Sequence, residues 1–178
     1  MLINVPIESL EERYSAQWNK WFPQEFERLD MEYVTVYGEP LRDKIEQGAF
    51  LDVISTNHFK APQLQTLCKM IQTGEIQDGD TIFFHDLWFP GLEMLAYIRD
   101  GLGLNIKICG ILHAGTYLSG DFITRQGMGV WGSWIERGWL EFVDKVFVAT
   151  TYHKNVIARE RVLPQHLVDN SRQTKIVL

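Results

Sequence analysis

Three apolar runs lie between positions 81 and 151, and each is followed directly by polar residues. The runs are Thr81–Phe84, Ile106–Leu112 and Val146–Ala149, followed respectively by His85-Asp86, His113 and Thr150. Continuous apolar runs separated by helical patterns are typical of parallel strands that are covered on both faces. Because ligands of open parallel sheets bind beyond the carboxyl ends of the strands, the pattern predicts a ligand site at these ends.

The remaining pattern predicts further strands that alternate with helices. The further strands are Leu2–Ile7, Glu32–Tyr37, Phe50–Ser55 and Lys175–Leu178. Helices are predicted from Ser9, over Leu41–Gln47, from Pro62 to Gly74, from Pro90 to Gly101, over Val130–Val143 and from Thr150 or Thr151 to Val162. Pro23 is expected to break or restart the first of them. The alternation predicts an α/β fold: a doubly wound sheet of six or seven strands, mainly parallel, with helices on both faces.

Composition narrows the class of protein. A chain of 178 residues predicts one domain, and its net charge of −6 disfavours a broad phosphate-binding face, so nucleic acid is not expected as a partner. Cys68 and Cys109 have neither disulfide-framework nor metal-site spacing, which favours a reducing compartment. The first ten residues do not resemble a signal peptide, and no apolar run has membrane-spanning length. These features predict a cytoplasmic protein without a membrane span.

Several familiar motifs are absent from the sequence. It contains no GxGxxG, no GxxxxGK[ST], no GxSxG and no HExxH. His85 and Asp86 are adjacent, so on a strand their side chains point to opposite faces and are poorly placed to chelate one ion. The sequence therefore predicts no metal site.

His113 is the strongest candidate for chemistry. It follows an apolar strand and precedes Ala114, Gly115 and Thr116, small residues that let a ligand approach the backbone. A histidine at this position is suited to donate a hydrogen bond or to act as a general base near neutral pH. A buried histidine bonded to a neighbouring carbonyl explains the same pattern, and both interpretations remain open.

The other candidates have competing structural explanations. Asp86 is either a ligand-site residue or the cap of the helix near Pro90. Asp121 lies in a glycine-rich segment, residues 117–129, where it is suited to bind sugar hydroxyls or to be a solvated turn residue. Glu136 lies among the tryptophans of its helix, and we expect it to be a surface charge.

Two segments resemble GT-B glycosyltransferases, particularly family-4-like retaining enzymes. In residues 136–157 a helix bearing a glutamate ends at Asp144, a strand and Thr150 follow, and another helix begins. Ile111–Gly115 is similar to the strand and histidine that line the acceptor side of the cleft in that family. Lys175–Leu178 resembles the strand that precedes the linker to the second domain.

The resemblance implies a Rossmann-like domain, the N-terminal, acceptor-side half of a two-domain GT-B enzyme. A C-terminal domain in a longer chain would hold most of the nucleotide-sugar donor, transfer would retain configuration and usually need no metal, and no cofactor would be covalently bound. The 178-residue chain alone would then be inactive. The acceptor would be a sugar-bearing or other small molecule.

The resemblance also assigns roles to residues. His113 would lie near the transferred sugar as the catalytic residue. The residues expected to contact the substrates are His85, Asp86, Gly115, Thr116, Tyr117, Asp121 and Thr150. The chain departs from the family in one place: Val5-Pro6-Ile7-Glu8 replaces the glycine-rich loop found after the first strand of many such enzymes. No contact to the donor phosphates is therefore expected from this loop.

Two other functions fit the same residues. One is a non-catalytic Rossmann-like module, complete in itself, that binds a nucleotide or another small molecule. The other is a hydrolase that uses His113 and Asp121, which ranks last because no nucleophile motif accompanies them.

Overall fold

The computed structural model describes residues 1–9, 14–41, 52–161 and 176–177. Within these ranges the strands are β1 (Leu2–Val5), β2 (Tyr33–Thr35), β3 (Thr81–Phe84), β4 (Lys107–Ile111), β5 (Lys145–Phe147) and β6 (Ile176–Val177). The helices are α1 (Tyr14–Arg28), α2 (Val53–Gln72), α3 (Leu92–Leu102), α4 (Gly129–Phe142) and α5 (Thr151–Glu160). The strands form one parallel sheet in the order β2-β1-β3-β4-β5-β6. This confirms the predicted α/β, Rossmann-like doubly wound fold.

The chain divides into two compact units, which we describe separately. The first comprises Met1–His85 and Phe89–Ile106. Its strand β1 lies between β2 and β3, and Ile3 is in parallel register with Val34 on one side and Ile82 on the other. Because the chain runs from β1 outward to β2 and then back past β1 to β3, the sheet changes winding direction between β1 and β3.

Two predictions about the region of helix α2, in the first unit, are wrong. Asp52 caps its N-terminus, so the end of the predicted strand Phe50–Ser55 is helical. Pro62 lies inside α2 instead of opening it. Pro62 removes the partner of the His58 carbonyl, and His58 lies at an exposed position, where water replaces such a partner at little cost.

The prediction for Pro23 in helix α1 is also wrong. The helix continues through Pro23, which was expected to break or restart it. Phe26 of this helix is buried, and Phe22 lies 5.4 Å from Phe83 of β3 between ring centroids. Packing against the sheet outweighs the backbone hydrogen bond that a proline forfeits.

The second unit comprises Asp86–Trp88 and Lys107–Leu178. In this unit β5 is the middle strand, with Val146 in register with Gly110 of β4 and with Ile176 of β6. Val146 and Ile176 are fully buried, as expected from the apolar runs that predicted these strands. The backbone of Leu112 continues the pairing of β4 by donating to the carbonyl of Phe147 over 2.9 Å.

Some predictions lie outside the described residues. They are the first turn of the helix predicted from Ser9 and nearly all of the predicted helix Leu41–Gln47. The last helix, α5, ends at Glu160 with Arg161 as its C-cap, close to the predicted end at Val162. Among the residues that the structure describes, no helix combines the length and the apolar character required to cross a membrane.

Candidate functional site

The candidate site is built around the segment that follows β4 in the second unit. Strand β4 ends at Ile111, and His113 follows two residues later with its side chain half-buried. Gly115 and Tyr117 are buried, whereas Thr116 between them is half-buried. The structure therefore places the predicted residues 113–117 together beyond the carboxyl end of a parallel strand, where ligands of such sheets bind.

Glu136 of α4 anchors this segment, contrary to the surface position that we expected. Its side chain is only 2% exposed. Oε1 accepts hydrogen bonds from the backbone N–H of Thr116 at 2.6 Å and from Nε1 of Trp88 at 2.9 Å. Oε2 accepts a hydrogen bond from the hydroxyl of Thr116 at 2.8 Å. The expectation failed because Glu136 lies on the buried face of α4, together with Gly132, Trp139 and Leu140.

Arg161, which follows α5, neutralises this buried carboxylate. Its Nη2 and Nε lie 2.6 and 2.9 Å from Oε2 of Glu136, and its side chain is 6% exposed. The guanidinium also donates to the hydroxyl of Thr116 and lies over the ring of Tyr117, 5.7 Å from the centroid. Removing either partner would leave a buried charge uncompensated, which typically costs about 3–5 kcal/mol.

Tyr117 and His153 form a second polar contact in this unit. Burial, followed by the negative charge of Glu136, raises the pKa of Tyr117, so its phenol stays protonated near neutral pH. Its hydroxyl is bonded to Nε2 of His153, in the first turn of α5. Burial lowers the pKa of His153, and the neighbouring His113 lowers it further. Near neutral pH the imidazole is therefore uncharged.

Asp121 lies at the end of the same segment. Its Oδ1 accepts a hydrogen bond from the backbone N–H of Ile123 at 2.9 Å, as in an ordinary turn. Burial raises the pKa of its carboxyl, and the charge of Glu136 raises it further. Residues Thr124–Met128 follow and lead into α4, with a kink at Gly127, whose φ of 81° lies in the left-handed region.

Thr150 and Asp86, both in the second unit, each accept a hydrogen bond from a nearby backbone N–H. The hydroxyl of Thr150 accepts from the backbone N–H of His153 at 3.1 Å, which confirms it as the N-cap of α5. Asp86 accepts from the backbone N–H of Trp88 at 3.0 Å. It does not cap the following helix, because α3 begins at Leu92 with Gly91 as its N-cap.

His85 belongs to the first unit and is fully buried. Its Nε2 lies 2.7 Å from Oδ1 of Asn4, and the ring of Phe22 lies 4.6 Å from the imidazole between centroids. With no exposed surface, His85 has the surroundings of a core histidine. Its predicted contact with substrate stays a prediction.

Sequence reasoning missed Glu136, Arg161, Trp88 and His153 as parts of the site. One signal was available for Glu136, because a charged residue at helical spacing from Gly132 and Leu140 lies on their face of the helix. No local pattern indicated Arg161, which lies 25 residues from Glu136 in the chain.

The described residues contain no group of three or more His, Cys, Asp or Glu side chains arranged to hold a metal ion. Cys109 is buried, and this burial raises the pKa of its thiol to about 11, so the group stays protonated near neutral pH. No protein-family model matches this sequence, and no curated protein matches it.

Proposed function

We propose that this chain is the N-terminal, acceptor-side domain of a retaining GT-B glycosyltransferase. The observation that carries the proposal is the position of His113, half-buried beyond the carboxyl end of β4 and followed by a segment that α4 and α5 hold in place. A histidine that remains partly accessible at this end of a parallel sheet is placed to meet a ligand.

The reaction transfers a sugar from a nucleotide-sugar to an acceptor hydroxyl. The bond between the anomeric carbon and the nucleotide diphosphate breaks, a bond from that carbon to the acceptor oxygen forms, and the proton of the acceptor hydroxyl passes to the departing diphosphate. In this proposal His113 donates or accepts a hydrogen bond at the transferred sugar. Thr116 and Asp121 lie at the acceptor, and a C-terminal domain supplies most of the donor contacts.

The order of elements in the fold agrees with the order that the family resemblance implies. The resemblance places a strand, a Ser/Thr and a helix after Asp144, and these elements correspond to β5, Thr150 and α5. Asp144 itself ties two strands together, because its Oδ2 accepts from the backbone N–H of Ile108 in β4 at 2.8 Å.

The test uses the longest protein that the gene encodes and a panel of UDP- and GDP-sugars. Release of nucleotide diphosphate is measured with water or a sugar acceptor as second substrate. We expect His113→Ala to lower kcat/KM at least about 100-fold, the usual lower bound for loss of an acid–base or hydrogen-bonding group at the reacting centre. His58→Ala is the matched control, because His58 is an exposed histidine of the first unit that contacts the carbonyl of Glu39.

The proposal fails if no donor in the panel is turned over, or if His113→Ala and His58→Ala have the same activity. A gene that ends at Leu178 would remove the two-domain arrangement and would favour the binding module.

The binding module has one structural feature in its favour. The sheet changes winding direction between β1 and β3, and doubly wound sheets bind nucleotides at such a switch point. Strands β1 and β3 belong to the first unit, whereas His113 belongs to the second. Nucleotide titration followed by NMR separates the two functions: shifts confined to residues after β1 and β3 support the module, and shifts at His113 and Thr116 support the transferase.

A further inference from the structure

We propose that Glu136, together with Arg161, is a positioning residue for His113. The pair holds the Thr116–Tyr117 segment and thereby sets where the main chain places the histidine. This inference rests on the function proposed above and names the part of the site on which that function depends.

The first argument is the kind of contact that the carboxylate makes. Its Oε1 binds the main-chain N–H of Thr116 at 2.6 Å, and Oε2 binds the hydroxyl of the same residue at 2.8 Å. Because the donor is the main-chain N–H, this bond restrains the backbone of Thr116 and not merely the rotamer of its side chain. The carboxylate therefore sets the path of the backbone three residues after His113.

The second argument is the number of elements that meet on this segment. Arg161, after α5, binds Oε2 of Glu136 and the hydroxyl of Thr116 and covers the ring of Tyr117. His153, at the start of α5, binds the hydroxyl of Tyr117. The segment is therefore bonded to a residue of α4 and to residues at both ends of α5.

The third argument is that two glycines allow this close approach. A Cβ at Gly115 would lie 2.7 Å from Oε1 of Glu136, and a Cβ at Gly132 of α4 would lie 2.7 Å from Cγ2 of Thr116. Both distances are too short for a real Cβ atom. The absence of a Cβ at these two positions therefore leaves room for the side chains of Glu136 and Thr116.

A pair that served only stability would be replaceable by apolar side chains. Exchanging a buried ion pair for apolar residues of similar volume is often neutral or stabilising. Apolar side chains cannot accept the hydrogen bond from the N–H of Thr116, so they cannot position the segment. Replacing both charged residues together therefore distinguishes a role in stability from a role in positioning.

The experiment compares Glu136→Met, the double variant Glu136→Met/Arg161→Met, and Glu141→Gln in the full-length protein. Glu141 is an exposed glutamate of the same helix and is the control. Melting temperature, kcat and KM for the donor are measured for each. Independently of turnover, the imidazole cross-peak of His113 is followed by NMR, with His113→Ala used for its assignment.

We expect the double variant to melt closer to the wild type than Glu136→Met does, because Arg161 is no longer left as an unpaired charge. Its kcat should nevertheless fall at least about tenfold, since small displacements of a reacting group reduce rates strongly. KM should change less than about threefold, and the His113 cross-peak should shift. Glu141→Gln should match the wild type throughout.

The inference is overturned if the folded double variant keeps the wild-type kcat and His113 cross-peak, or if Glu141→Gln loses as much activity. A double variant that does not fold would also overturn it, because the pair would then determine stability. If the wild type turns over no donor, the proposed function fails, and the His113 cross-peak alone decides whether Glu136 positions the histidine.

Discussion

At the scale of single residues, the segment after β4 depends on the absence of a side chain at one position. A Cβ at Gly115 would meet the ring of Tyr117 and the carboxylate of Glu136. Both neighbours are buried and hydrogen-bonded, so neither can move away freely. The tight contact, and not an unusual backbone conformation, makes glycine necessary here.

We therefore expect Gly115→Ala to lower the free energy of unfolding by about 1–3 kcal/mol, the usual cost of overpacking a buried site. Urea denaturation monitored by tryptophan fluorescence measures the change. Gly120→Ala is the matched control, since no atom lies within 4 Å of its added Cβ. Equal stability of the two variants would contradict the packing described for Gly115.

At the scale of elements, the side chain of Asp52 caps the N-terminus of helix α2. Oδ1 of Asp52 accepts from the backbone N–H groups of Ile54 and Ser55 at 3.0 and 3.2 Å, and Oδ2 accepts from the hydroxyl of Ser55 at 2.9 Å. These bonds satisfy donors that have no partner within the helix, and the negative charge favours the positive end of the helix dipole.

Asp52→Ala should lower the free energy of unfolding by about 1 kcal/mol, within the usual range for an N-cap. Asp52→Asn keeps an acceptor oxygen and should lose less. Thermal and urea unfolding of both variants measures the difference. A loss for Asp52→Asn as large as for Asp52→Ala would show that charge, and not capping geometry, stabilises this end of α2.

The elements also show where periodicity is an insufficient guide. Val53, Ile54 and Ser55 follow an apolar pair and fit a short strand as well as a first helical turn. Their helical state follows from the cap at Asp52 and from the burial of Ser55 and Phe59 one turn apart. A proline at position 62 predicts a helix start from local propensity, which tertiary packing overrides.

At the scale of the whole molecule, the negative net charge disfavours nucleic acid as a binding partner. The net charge of −6 opposes accumulation along a polyphosphate backbone. We expect no saturable binding of a 20-nucleotide RNA below about 10 μM at physiological salt, since non-specific binding requires a basic face. Filter binding at two salt concentrations measures this. Tight, salt-sensitive binding would instead make nucleic acid the acceptor to consider.

The fold class and the location of most strands follow from the order of apolar and polar residues along the chain. Long apolar runs that end in polar residues have few arrangements other than buried parallel strands, and β3, β4 and β5 lie where those runs predicted them. The cap of α5 at Thr150 and the segment after β4 were likewise local features that a few adjacent residues specify.

Which polar side chains contact one another depends on tertiary packing and cannot be read from local patterns. Glu136 and Arg161 are 25 residues apart, and Thr116 lies 20 residues before Glu136, so no local pattern records their contact. Whether a charged residue of an amphipathic helix is buried depends on a partner that distant parts of the chain supply. The burial of the two histidines has the same origin: both follow apolar runs, but His85 is fully buried and His113 is half-buried.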